Sequence, residues 1–234
     1  MGSQAPEIIL YTNHRCPWAH RAHIALAELN LPYKEVIIDL DTPRSPEYLA
    51  INPRGLVPAL SYNGEIIIES AIVAQFLADQ HPSHLVPPSN APGGALRRAR
   101  IALFVDAFFS KFNSVLFGLG TAKTEEEKQA VVEKALNGLI KEVEPLLKDA
   151  KPFFGGSDKL TLAEVLTGSF VIRLKTFSKA ELYPKELYTK ITQLAPNFAK
   201  WAEAVVAHPS VTKIYNEDEV IAGMKARLAK TRGN

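Results

Sequence analysis

The sequence predicts an α/β N-terminal domain of order β-α-β-α-β-β-α followed by an all-α C-terminal domain. Three observations carry this. An apolar run, Ile8-Ile9-Leu10-Tyr11, feeds an Ala/Leu-rich helical stretch through a Cys-Pro pair. An Asn-Gly dipeptide, Asn63-Gly64, joins two apolar segments, the signature of a type I′ hairpin. After a segment holding four prolines and two glycines (residues 81–94), every strong pattern is helical. The expected boundaries are residues 1–81 for the first domain, 82–94 for the linker and 95–234 for the helical domain.

Taken in order, residues 8–11 read as a short buried strand and residues 22–29 as a helix. Cys16 is the single cysteine and Pro17 follows it. Proline is favoured at the first helical position, where its missing N–H costs nothing. Cys16 is therefore expected at the N-cap, its sulfur facing unpaired N–H groups and the positive end of the helix dipole. Such a site is expected to lower the thiol pKa below its free value of about 8.5. His14, Arg15 and His20 are the candidate electrostatic helpers. A single buried, inert cysteine is the competing reading.

Residues 33–38 are β-branched and predict a second strand, and residues 46–50 a short helix. Residues 56–62 and 65–68 flank Asn63-Gly64 and predict an antiparallel pair, whereas the first two strands, joined through a helix, should be parallel. Pro58 interrupts the third strand, leaving open a cis Val57–Pro58 bond or a trans proline at the strand start. Residues 69–78 predict a helix with Glu69 and Ser70 at its start.

In the second half, residues 95–117 carry apolar residues at helical spacing. Thr124 with Glu127, and Thr161 with Glu164, read as capping boxes opening the next helices. The first of these should run to about residue 148. The second, through residue 177, is the expected core helix, and residues 195–207 predict a further one. The tail from residue 224 is basic and expected to be mobile at its end.

Composition narrows the function classes. The 234 residues are 47% apolar and 22% charged, ordinary for a globular protein. The net charge of +2 is too small to argue for a nucleic-acid partner. It divides as −4 over residues 1–81 and +6 over residues 82–234, in keeping with two domains of different character. One cysteine excludes an internal disulfide, a Cys-cluster zinc site and a dithiol redox cycle. No apolar run approaching 18 residues is read, so no membrane span is expected. The polar residues 1–6 do not read as a signal peptide. A cytoplasmic enzyme is the expectation.

Four motifs together, Cys16-Pro17-Trp18-Ala19-His20-Arg21, Asn52-Pro53-Arg54-Gly55-Leu56-Val57-Pro58, Glu69-Ser70-Ala71-Ile72 and the Thr161 capping box, resemble the cytosolic glutathione transferases over essentially the whole chain. A cysteine in the active position looks like the omega class. Trp18 and Glu164 depart from the usual pattern there. The resemblance implies a thioredoxin-like N-terminal domain and glutathione as cosubstrate, without a metal. It implies thiol transfer, reduction of glutathione mixed disulfides and dehydroascorbate reduction through a Cys16–glutathione mixed disulfide. It also implies a cis Pro58. Val57 would then meet the cysteinyl unit, flanked by Leu56 and Pro58 in the glutathione-binding set, with Ser70 meeting the γ-glutamyl carboxylate, Glu69 the γ-glutamyl ammonium and Arg44 the glycine carboxylate. Arg54 competes for that last role, and Glu69 has plain helix-dipole compensation as its other reading. A small hydrophobic or disulfide second substrate is expected against Trp18, Phe104, Phe108, Phe112 and Phe117, with His14 and Arg173 as polar members. A homodimer is the implied assembly.

The competing enzymatic expectation is conjugation, or reductive deglutathionylation, of an electrophilic or quinone metabolite. The competing class is a non-catalytic interaction module of the same fold, against which the intact Cys16, Pro58 and Glu69-Ser70 set argues. A chloride-channel-like, membrane-inserting relative ranks last, because Arg15, Arg21 and Glu28 interrupt the region of the first helix.

Overall fold

The computed structural model describes residues 5–232; residues 1–4, within the polar start, and residues 233–234, at the end of the basic tail, lie outside it. Strand β1 (Ile8–Thr12) leads through a tight turn into helix α1 (Pro17–Glu28). Strand β2 (Lys34–Ile37), the short helix α2 (Pro46–Ile51), the hairpin β3 (Ala59–Tyr62) and β4 (Glu65–Ile68), and helix α3 (Ser70–Gln80) follow. The sheet order is β2-β1-β3-β4. β1 runs parallel to β2 and antiparallel to β3, with Leu10 opposite both Glu35 and Leu60. Asn63 and Gly64 both take positive φ, as a type I′ turn requires. The Val57–Pro58 bond is cis, and β3 begins one residue later than the proline.

The helical half opens with α4 (Gly94–Ala107), which continues without a break through a π turn (Phe108–Asn113), α5 (Ser114–Leu116) and a 3₁₀ turn. This continuous stretch, Gly94–Gly120, is long and apolar enough by composition to cross a membrane, contrary to the expectation of no such run. Here Ile101, Phe104, Phe108, Phe112 and Leu116 form its buried side, as in the first helix of a packed bundle. Helix α6 (Glu125–Gly138) ends in a second π turn (Leu139–Val143) and a 3₁₀ turn, short of the single helix expected to residue 148. Its last residue, Gly138, lies against the first π turn, where a Cβ would stand 2.0 Å from the Lys111 carbonyl oxygen. Only glycine permits that backbone approach.

Helix α7 (Leu162–Lys179) is the core helix, nearly all of its residues buried. Helices α8 (Lys185–Leu194), α9 (Pro196–Ala207), α10 (Pro209–Thr212) and α11 (Glu217–Arg232) complete the chain. The sequence signalled α9 alone of these four; the basic tail from residue 224 is helical through Arg232, and the end of it expected to be mobile lies outside the described residues. Both capping boxes are present. At the second, Glu164 is fully buried and saturated. One carboxylate oxygen accepts from Thr161 N (2.8 Å) and Thr161 Oγ1 (2.7 Å); the other accepts from Phe154 N (2.8 Å) and Trp201 Nε1 (2.7 Å). A cap at the surface closes one helix end, whereas this one also ties α9 and the 153–156 loop to α7.

Replacing Glu164 by Ala strands at least three buried donors, at about 1–3 kcal/mol each. Glu164→Ala is therefore expected to lose at least about 3 kcal/mol in urea denaturation, whereas the exposed Glu125→Ala should change stability by under about 0.5 kcal/mol.

Candidate active site around Cys16

Cys16 occupies the N-cap of α1 in extended conformation, with Pro17 at the first helical position. Its N–H donates to Asn13 O (3.0 Å), closing the turn from β1, and its C=O accepts the first helical bond from His20 N (3.1 Å). The half-buried Sγ lies 3.9 Å from Val57 O, just ahead of the cis Pro58. Ala19, Tyr48 and Val57 form a small apolar cluster, with Cys16 and Tyr11 packed on its edge. The site is thus one half-buried sulfur between a helix N-terminus and the buried start of β3.

The sulfur's electrostatics differ from the sequence expectation. Burial pushes the Cys16 thiol up, against the opposing pull of the Ala19 and Trp18 N–H groups and of the Arg173 and Arg21 guanidiniums. The helix terminus acts as expected, but packing on the apolar cluster outweighs it. The expected helpers do not help. His20 is fully buried, and desolvation together with Arg173 holds it neutral, far below the ordinary histidine range. Arg15 turns to Asp41 (2.6 Å), and the His14 ring turns to Glu35 (2.9 Å).

The groups that do bear on Cys16 are two buried arginines. Arg21, on α1, donates to Leu166 O on α7 (2.8 Å) and to Ser70 Oγ (3.1 Å). Its guanidinium lies 4.6 Å from the ring centroids of both Trp18 and Phe109. Arg173, on α7, donates to Ser169 O (2.8 Å) and reaches back to Arg15 O (3.1 Å) and His14 O (3.4 Å). It is therefore a brace between domains and not the open polar wall residue expected of it. Burial pulls Arg21 down to about 9 and Arg173 to about 10, which leaves both charged at neutral pH. Arg21 was quoted in the motif without a role. Its one sequence signal is a charge on the inward side of an Ala-rich helix.

Three of the expected wall residues are corrected. Phe104, Phe108 and Phe112 are fully buried, packed among Phe154, Phe198 and Trp201. Phe117 is exposed on the 3₁₀ turn. The aromatic partners of Trp18 are instead Phe109, stacked at 5.5 Å, and Phe170, edge-on at 4.6 Å. The inward side of the π turn after α4 takes Phe108, so its neighbour Phe109 is the one that meets Trp18.

On the sheet side, Ser70 is buried at the first residue of α3. Glu69, its N-cap, takes φ +69°, a region costly for a side-chain-bearing residue and common where structure holds a group for function. Glu69 pairs with Arg54. Arg44 spends its guanidinium on Gly55 O (2.9 Å), Asp39 O (2.6 Å) and Thr42 O (2.7 Å), bracing its own loop. The Leu56 side chain is exposed, while its carbonyl accepts from Tyr48 Oη (2.5 Å) and Asn52 Nδ2 (2.8 Å). A cavity of about 730 Å³ lined by residues of α6, α8 and α11 lies apart from all of these groups.

Comparison with known proteins agrees with this arrangement. Residues 15–80 match the family described as glutathione S-transferase, N-terminal domain. A maleylacetoacetate isomerase of Pseudomonas aeruginosa is 30% identical over 86% of this chain and 92% of its own length. The chain belongs to the glutathione S-transferase family. Its relatives include glutathione S-transferase 3 of Glycine max, 28% identical over 96% of this chain and 97% of that one. Among solved structures, rice GST1 in complex with glutathione superposes with a TM-score of 0.82 at 25% identity, covering 97% of this chain and 99% of that one. Glutathione transferase Omega 1C from Trametes versicolor gives 0.81 at 26% identity, covering 96% and 98%. Similarity thus spreads across several named transferase types and does not single out omega.

Because burial favours the neutral thiol, the thiolate fraction at neutral pH falls below that of a free cysteine. Alkylation of native protein by iodoacetamide should therefore show a midpoint above that of the same chain in denaturant. Equal midpoints would remove the burial effect.

Proposed function

We propose that this family member carries out glutathione-dependent thiol transfer, with Cys16 as nucleophile. The observation that supports it most is the placement of Sγ, at an N-cap and 3.9 Å from Val57 O beside the cis Pro58. In the proposed binding mode the Val57 backbone takes the cysteinyl unit by strand addition beside Leu56. Ser70, at the N-terminus of α3, takes the γ-glutamyl carboxylate, since helix N-termini favour anions. Arg21 holds the Ser70 hydroxyl from beneath and brings an uncompensated positive charge to that end. Glu69 takes the ammonium, exchanging its pairing with Arg54 for the ligand. Arg44 shapes the loop under the glycine end.

The reaction balances in two exchanges. The Cys16 thiolate attacks the glutathione sulfur of R–S–S–G, forming Cys16–S–S–G and expelling R–S⁻, which takes a proton. A glutathione thiolate then attacks the glutathionyl sulfur of that adduct, giving oxidised glutathione and free Cys16. A single cysteine permits only this monothiol route. A thiolate that is scarce at neutral pH is compensated in part, because nucleophilicity rises with thiol pKa. Trp18 and Phe109 offer an apolar surface to R. The exposed Ile72, Leu96 and Leu103 on α3 and α4 support a homodimer.

A second reading has its own observation. A thiol kept protonated by burial can donate to the sulfur of bound glutathione, which favours conjugation or isomerisation, and one relative is named a maleylacetoacetate isomerase. The two readings part at one substitution. Cys16→Ser keeps a hydroxyl donor but cannot form a mixed disulfide. Thiol transfer predicts at least about a thousandfold loss of mixed-disulfide reduction, with glutathione binding retained, and one glutathionyl adduct on Cys16 by mass spectrometry after exposure of wild type to oxidised glutathione. Retained reductase activity in Cys16→Ser would refute this assignment.

A further inference from the structure

We propose that His14, His23 and Glu35 form a binding site for a divalent transition metal, Zn²⁺ above all, which clamps the turn before Cys16 to the edge strand β2. The three residues come from three elements: the turn after β1, the middle of α1, and β2. Their ligand atoms all lie within 4.8 Å of one another. The carboxylate of Glu35 is shared, with Oε2 at 2.9 Å from His14 Nε2 and Oε1 at 3.5 Å from His23 Nδ1. Zinc bonded to nitrogen and oxygen at about 2.0–2.2 Å in a tetrahedron separates its ligands by roughly 3.4 Å. The cluster already approaches that scale without a shift of the backbone.

The surroundings of His23 match what such a site needs. Its ring is buried, and Nε2 stands 2.7 Å from Thr12 Oγ1. With the proton on Nε2 donated to Thr12, the lone pair of Nδ1 points into the cluster, the arrangement by which an outer hydrogen bond fixes a metal-ligating imidazole. Tyr33 Oη, 2.9 Å from Nδ1 and 3.2 Å from Glu35 Oε1, fills the space between them. A bound ion displaces that hydroxyl from Nδ1 and leaves it as a donor to the carboxylate. His14 and Glu35 are partly exposed, which gives the ion a path in and leaves a position open to water. Two imidazole nitrogens and one carboxylate suit zinc, nickel or copper better than magnesium or calcium. An isolated surface pair of His14 with Glu35 is worth little and gives no reason for a buried histidine to aim at the same carboxylate. The absence of a cysteine cluster does not bear on this donor set, and the spacing 14, 23, 35 forms no linear motif.

His14 stands two residues before Cys16, inside the turn closed by the Asn13 O to Cys16 N bond. A metal here stiffens that turn. The proposal does not depend on which reaction Cys16 performs.

The test uses the full chain with Cys16→Ser, so that the thiol cannot bind the ion. Calorimetric titration with zinc chloride is expected to show one saturable site, and Co²⁺ should give visible d–d bands without thiolate charge transfer. His14→Ala and Glu35→Gln, both partly exposed and expected to fold with unchanged circular dichroism, should each weaken Zn²⁺ binding at least tenfold. The proposal is overturned by non-saturating binding, or by either variant retaining affinity within tenfold of its parent.

Discussion

The helix pair α1 and α7 is joined by a reciprocal exchange of arginines, and the site depends on it. Arg21 leaves α1 to bond a carbonyl of α7; Arg173 leaves α7 to bond the carbonyls of the turn that enters α1. Among the described residues, neither guanidinium is paired with a carboxylate. Both sit in surroundings where an isolated charge is costly, and the acceptors that offset the cost are backbone oxygens and aromatic faces. Such an arrangement holds the Cys16 turn against the helical domain. Close packing beneath supports the joint: a Cβ on Gly168 would sit 3.2 Å from Val205 and 3.8 Å from Ile24.

Two opposing effects meet at Cys16, and their sizes decide the outcome. A helix N-terminus favours a neighbouring anion by about 0.3–1 kcal/mol at exposed sites and up to about 2 when partly buried. Desolvation can shift a fully buried ionisable group by up to about 3–5 pKa units. Cys16 packs on Ala19, Tyr48 and Val57, and this second effect exceeds the combined pull of two amides and two guanidiniums. The sulfur is therefore held as a thiol in the free protein. Its chemistry turns on what a bound ligand does to that apolar edge.

The saturated carboxylate of Glu164 plays a corresponding role inside the helical domain. Four donors from three segments converge on it, so the start of α7, the 153–156 loop and α9 are fixed together. Glutamate serves at this cap because its extra methylene lets one oxygen close the capping box while the other reaches Trp201. The cap and the arginine exchange lie on the same helix, which makes α7 the element through which both halves of the protein are registered.

Much of this was legible in the chain itself, wherever a residue acts through its own backbone. Pro17 placed Cys16 at an N-cap, Asn63-Gly64 placed a hairpin, Thr124 and Thr161 placed two helix starts, and the prolines after residue 81 placed the break between α3 and α4. Tertiary structure decided whatever depends on helix phase or on competition between environments. The phase of the stretch from Gly94 buried Phe104, Phe108 and Phe112 and left Phe109 to meet Trp18, and two π turns shifted phase in a way no residue announces. Folding, and not spacing, turned Arg44 and Arg173 onto carbonyls and gathered His14, His23 and Glu35 from three elements. Local rules see a residue and its near neighbours along the chain, whereas burial and side-chain partners are set by segments that can lie more than a hundred residues away.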